Sequence, residues 1–259
     1  MTASTALTLH RGLIAVDIVA FGSRRDPDVQ LHLRGAVHQI TERACRLAGL
    51  RWEGSHHEDR GDGLFVIVEP GTSVTTLLTG VVPELLRGVR RHNKLSSRTA
   101  QIRLRVAVHA GFVRLDDHGA AGLPLIELFR LLGAPAFRAI VEDSASDFAV
   151  AVSDYLFDEV VRHNGELAAG FRAMPVELKE THMRGWVWLP PLPANPHGLP
   201  VNPHDLPVTD RSRTGYGPPG IAISELSPED RDLVLAVLSP LVEYLQGRMG
   251  RSRGPRPIT

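Results

Sequence analysis

Residues 12–22 read Gly12-Leu-Ile-Ala-Val-Asp17-Ile-Val-Ala-Phe21-Gly22. The run from Gly12 to Ile18 is apolar except for one carboxylate, the pattern of a buried strand with Asp17 at its end and a glycine turn beyond it. Asp26-Pro27-Asp28 then announces a helix, with a capping acid followed by proline at the first helical position. Val29, Leu33, Val37, Ile40, Ala44 and Leu47 follow at spacings of three and four, one helical face, and Gly49 is the expected stop. Residues 51–68 predict a β-hairpin whose second strand is Leu64 to Val68, with Gly61-Asp62-Gly63 as its turn. A second helix is expected over 75–92. A strand over 102–108 comes next and runs into His109-Ala-Gly111.

Working outward, Pro124 to Leu132 places Leu125, Leu128, Phe129 and Leu132 on one side of a third helix. A strand over 148–152, a helix over 153–162 and strands over 173–179 and 186–189 complete the pattern. The order β-α-β-β-α-β with extra strands predicts an α+β sandwich of the ferredoxin-like kind across residues 10–190. Residues 191–220 are dense in proline and glycine and lack apolar periodicity, so a linker or extended arm is expected. Ser227-Pro228-Glu229-Asp230 opens a C-terminal helix, placed over 221–250, whose stretch from Leu233 to Leu245 is apolar nearly all round.

Composition excludes several classes. The chain has 259 residues with 29 Lys+Arg against 29 Asp+Glu, a formal net charge of zero. That balance argues against a protein that coats nucleic acid or an anionic membrane. A single cysteine, Cys45, allows neither an intramolecular disulfide nor a cysteine-based zinc site. Met1-Thr-Ala-Ser-Thr-Ala lacks the basic and apolar regions of a signal peptide, and the longest apolar stretch is too short for a bilayer. A cytoplasmic protein is expected. Nearly all basic residues are arginine, and the two lysines are Lys94 and Lys179.

In such a sandwich the end of the first strand and the neighbouring hairpin turn can lie side by side. Asp17 and Asp62 would repel there unless a cation bridged them, and hard oxygen ligands with room for phosphate suit Mg²⁺ or Mn²⁺. Each has a simpler reading when taken alone: Asp17 ends a strand, and Asp62 is an ordinary turn residue. The rest of the pattern weighs against that reading. Arg105-Val-Ala-Val-His109-Ala-Gly111 is followed by Gly122, with Arg130 eight residues on, and then by Glu177-Leu178-Lys179. In this order and spacing, with Asp17-Ile18-Val19-Ala20-Phe21 and Gly61-Asp62, the chain resembles the class III nucleotidyl cyclase catalytic domain over about residues 10–190.

The resemblance implies a ferredoxin-like cyclase sandwich and an enzyme that converts a nucleoside triphosphate to a 3′,5′-cyclic monophosphate and pyrophosphate. Asp17 and Asp62 match the metal-binding aspartates, with the Ile18 carbonyl as a further ligand and two Mg²⁺ or Mn²⁺ ions per site. Arg130 matches the arginine that stabilises charge on the α-phosphate, and Lys179 the lysine that holds the triphosphate. Phe21 and Gly22 close the first motif on the substrate side. The family's sites lie at a head-to-tail dimer interface, so the resemblance implies a homodimer whose chains each complete the other's site.

Two positions depart from the family. Ile126, four residues after Gly122, stands where asparagine usually orients the ribose, and it cannot donate that hydrogen bond. Glu58, four residues before Asp62, stands at a base-reading position where a carboxylate can accept the N1–H and N2–H of guanine. GTP is therefore favoured. Cytidylate and uridylate cyclases of antiphage defence stay open as an alternative, as does a catalytically silent cyclase-fold signalling module. His56-His57-Glu58-Asp59 is rich in ligand types, yet neighbours on a strand point to opposite faces, which argues against one zinc site. His109 is expected to be a hydrogen-bonded core histidine.

Overall fold

The computed structural model describes residues 7–23 and 26–192. The Pro/Gly-rich segment beyond Leu192 and the helix expected over 221–250 lie outside the described residues. Strand β1 is Thr8–Ile18. Helix α1, Pro27–Leu47, starts as the sequence indicates: Asp26 is its N-cap and accepts from the Asp28 amide at 2.9 Å. The chain leaves α1 through Gly49 at φ 83°. The hairpin is β2, His56–Asp59, and β3, Gly63–Ile67.

A helical stretch follows, made of α2 (Val74–Thr76), a π turn (Leu77–Val81) and α3 (Val82–Leu95). Pro83 accounts for the π turn: it brings no N–H and its ring crowds the carbonyl four residues back. Strand β4, Leu104–Asp116, turns into the short β5, Gly119–Ala121. Helices α4, Leu123–Gly133, and α5, Pro135–Glu142, come next. Strand β6, Phe148–Ser153, leads through α6, Asp154–Leu156, and a second π turn, Phe157–Val161, to α7, Gly165–Ala169. The hairpin of β7, Phe171–Leu178, and β8, Thr181–Trp188, completes the described chain.

The sheet runs β2-β3-β1-β4-β6-β8-β7, with β5 added to β4. Its first four strands are antiparallel in the order of a ferredoxin-like β1-α1-β2-β3-α-β4 unit. β6 then joins β4 in parallel and carries the β7–β8 hairpin outward. Helices cover both faces, so β1 is apolar on both sides. Ile14, Val16 and Ile18 face Leu33 and Val37 of α1 and Leu85 and Val89 of α3. Leu13 and Ala15 face the other way, towards Leu128 of α4 and Phe137 of α5. Two-residue alternation therefore puts Asp17 on the α4–α5 face, one step past Ala15.

Three sequence expectations are corrected. Leu47 is 57% exposed rather than part of the buried face of α1, because it faces the groove between α1 and α3, where it lies with Ile40 and Leu95. Helix α5 was not expected, although Pro135 at its start and the buried Phe137 and Val141 four apart are signals for it. Lys179 is not on a strand: β7 ends at Leu178, and Lys179 takes φ 55° in the two-residue turn before β8.

Candidate active site

The end of β1 is flanked on both sides. Asp17 is opposite Gly63 of β3 and opposite Arg105 of β4. A Cβ on Gly63 would lie 1.9 Å from the Val16 carbonyl oxygen, so only glycine lets the hairpin close this tightly. The Ile18 amide donates to the Asp62 carbonyl at 2.9 Å, which ties the hairpin turn to the strand end. Asp59 anchors the same turn on its other face. Its carboxylate accepts from the Gly61 amide at 2.8 Å and pairs with Arg34 at 2.8 Å and with His38 of α1. Hydrogen bonding to Arg34 pulls the Asp59 carboxyl down to about 2, with the Gly61 amide and His38 adding to it against burial.

Asp17 and Asp62 thereby line one cavity of about 220 Å³, together with Arg60, Leu64, Phe129 and Leu132. Arg60 sits over the Phe129 ring, 5.0 Å from its centroid. Arg105 clasps Asp17 with both arms, Nε to Oδ1 at 2.9 Å and Nη2 to Oδ2 at 2.6 Å. Burial pushes the Asp17 carboxyl above its ordinary range, Arg105 pulls it back, Asp62 pushes it further up, and Arg138 of α5 pulls it down.

Does this arrangement fit a divalent ion? Among the described residues no group of three or more His, Cys, Asp or Glu side chains is placed to hold a metal. Two carboxylates and backbone carbonyls are what this chain offers, and a hard ion such as Mg²⁺ commonly binds one or two carboxylates and takes further ligands from water and phosphate oxygens. Each Asp17 oxygen keeps a second lone pair after pairing with Arg105. The donor set fits such an ion shared with a triphosphate.

The other sequence-predicted residues lie elsewhere. Arg130, on α4, does not line the aspartate cavity; its Nη2 donates to Glu180 Oε1 at 2.9 Å. Lys179 is beside it in the exposed β7–β8 turn, brought there because Leu178 seats against Gly133 at the end of α4. Ile126 is 48% exposed, one helical turn before Arg130. Phe21 packs against the α1 side of the core, and Gly22 is open to any added side chain. Glu58 projects from β2 and shares its Oε1 with His56 Nε2 at 2.7 Å, while His57 turns to the other face and stacks on Trp52 at 4.2 Å. His109 is 5% exposed, with Nδ1 against Ser153 Oγ at 2.7 Å and Nε2 against Glu127 Oε2 at 2.9 Å.

Sequence reasoning missed Arg105, Arg60 and Glu180. Arg105 belonged to a recognised strand motif, but its partner follows from register alone. Glu180 is the residue after Lys179, and nothing local points it at Arg130.

No family model matches the chain, and no curated protein matches it. Solved structures do. The guanylyl cyclase Cya2 is 13% identical, with a TM-score of 0.52 over 75% of this chain and 98% of that one. An adenylate/guanylate cyclase/hydrolase from Silicibacter pomeroyi is 16% identical, with a TM-score of 0.49 over 71% of this chain and 99% of that one. The guanylate cyclase domain of RhGC from Catenaria anguillulae, in complex with GTP, is 14% identical, with a TM-score of 0.46 over 70% and 96%. The likeness to Cya2 shows that the chain has the fold of a nucleotidyl cyclase catalytic domain.

Proposed function

We propose that this protein is a cytoplasmic, homodimeric nucleotidyl cyclase that converts a nucleoside triphosphate, GTP by preference, to its 3′,5′-cyclic monophosphate and pyrophosphate. The observation that carries the reading is the shared cavity of Asp17 and Asp62 on a cyclase fold. Two divalent ions, Mg²⁺ or Mn²⁺, bound by Asp17, Asp62 and the Ile18 carbonyl would supply Lewis-acid activation of the ribose 3′-hydroxyl and the α-phosphate. Arg130 meets the charge that develops on the α-phosphate, and Lys179 holds the triphosphate tail. Glu58 accepts N–H groups of the base. Arg105 pulls the Asp17 carboxyl down against burial and fixes its orientation.

A shared site accounts for why Arg130 and Lys179 stand apart from the aspartates within one chain. The dimer also has a surface to use, since Phe112 and Leu123 are 63% and 64% exposed beside Ile126 and Tyr155. Ile126 supports a second reading, a cyclase-fold module that binds nucleotide without turning it over, because ribose positioning lacks its usual donor. Incubation with ATP, GTP, CTP and UTP, each with Mg²⁺ and with Mn²⁺, followed by mass spectrometry against cyclic standards, separates the two. One dominant cyclic product establishes the enzyme, and a cyclic pyrimidine would overturn the base preference. Absence of every product from a folded dimer would favour the silent module.

A further inference from the structure

We propose that His56 sets base selectivity by holding the Glu58 carboxylate in the orientation that matches guanine. The inference rests on the reading of Glu58 as the base-contacting residue. His56 and Glu58 are two apart on β2 and so share the α4–α5 face of the sheet. The His56 ring lies 6.1 Å from Phe65, tilted by 50°, and its Nε2 meets Glu58 Oε1 at 2.7 Å. From the other side the β4–β5 turn comes close: a Cβ on Gly119 would lie 3.3 Å from the same oxygen. Gly119 has φ 130°, which favours glycine, so that flank of the carboxylate carries no side chain.

Glu58 is thus held at Oε1, while Oε2 has no hydrogen-bond partner among the described residues. Oε1 keeps a second lone pair, so both oxygens can accept from a ligand in a fixed plane. Guanine alone of the four bases presents two adjacent donors, N1–H and N2–H, on its pairing edge. Adenine and cytosine set an unprotonated ring nitrogen beside their amino group, and uracil flanks N3–H with carbonyls. Each of these places a lone pair against a carboxylate oxygen. A carboxylate free to rotate would soften that penalty; one held by His56 imposes it. His56 acts through Glu58 and is a positioning residue.

The test compares kcat/KM for GTP, ATP, CTP and UTP in the full chain and in His56→Ala, His56→Gln, Glu58→Ala and the double variant His56→Ala/Glu58→Ala. His56→Ala is expected to lower the GTP-to-ATP ratio about tenfold, the scale of one charge-assisted hydrogen bond, through KM for GTP, with ATP unchanged within about twofold. His56→Gln, which retains an N–H donor, recovers part of the ratio, and in the Glu58→Ala background removal of His56 changes nothing further. An equal loss for all four nucleotides, an unchanged ratio, or a wild type that prefers another base overturns the proposal. Equilibrium binding of the same nucleotides in Ca²⁺, run in parallel, separates the two levels of inference. Binding without turnover overturns the cyclase reading and still decides the role of His56 from affinity ratios. Neither binding nor turnover overturns both.

Discussion

The two halves of the candidate site are built differently. Asp17 lies between β3 and β4, its side chain 14% exposed, against an Arg105 that is 11% exposed. Asp62 is fixed to it by a backbone hydrogen bond and by a glycine that no other residue can replace. Arg130 and Lys179 stand on a helix flank and at the tip of the β7–β8 hairpin, at the far edge of the sheet from β2. There Arg130 is itself only 14% exposed, but the acid that meets it, Glu180, is 75% exposed. Strand register determines where the aspartates are. Side-chain choice at an exposed turn determines what the arginine meets. Groups that gather charge at fixed distance are best held by backbone, whereas a cation that, in the proposed shared site, reaches another chain's substrate is best carried on a helix flank or hairpin tip.

Variants can break this contrast or sharpen it. Asp17→Ala or Asp62→Ala should lower metal-dependent cyclic nucleotide formation by about a thousandfold or more, the scale of losing a metal ligand's charge stabilisation, with dimer mass in solution unchanged. Mixed Asp62→Ala and Arg130→Ala chains should then regain about a quarter of wild-type activity, because random exchange makes about half the dimers hybrids with one whole site. No recovery despite verified exchange would show that the two halves serve one chain. Arg105→Ala strands a buried carboxylate and should cost about 3 kcal/mol in urea unfolding. Glu180→Gln, where the acid is 75% exposed and the glutamine amide oxygen can still accept from Arg130, should change stability by less than about 1 kcal/mol. A large loss from the second change, or a negligible one from the first, would reverse the comparison.

A smaller effect concerns buried His109 of β4, which is bonded to Ser153 and Glu127. Burial pushes His109 below the ordinary imidazole range, Glu127 opposes this, and His10 adds to it. A group with a depressed folded pKa binds fewer protons in the folded chain than in the unfolded one. The folded state therefore loses stability as pH falls below about 6.5, the ordinary histidine value, towards the folded pKa of His109. Urea midpoints measured at pH 7.5 and 5.5 should fall further in the wild type than in His109→Gln. A wild type whose midpoint does not fall further would remove His109 as the source.

Much of the scaffold was legible. The apolar run of β1 with Asp17 near its end, the Asp26 cap of α1 and the Gly61-Asp62-Gly63 turn all act over a few residues, so the sequence displays them directly. Leu47 misled because it keeps the helical spacing of its face but falls on the open groove between α1 and α3. Helix α5 escaped because Gly133-Ala134-Pro135 reads as a stop, and the eight residues after it are too few for a clear period. Lys179 was read as strand because Glu177-Leu178-Lys179 gives no sign of where the ladder ends.

What the sequence determined by itself is the ferredoxin-like order of elements, the strand end that carries Asp17 and the turn that carries Asp62. Alternation, capping and glycine backbone freedom are local, and their causes sit beside their effects. The tertiary structure alone decided that Arg105 clasps Asp17 from 88 residues away, that Glu180 meets Arg130 across 50, and that Glu58 lies between His56 and Gly119. Those pairings depend on strand register and on which helix covers which face. Both are fixed by the burial of the whole sheet, which no short stretch of sequence contains.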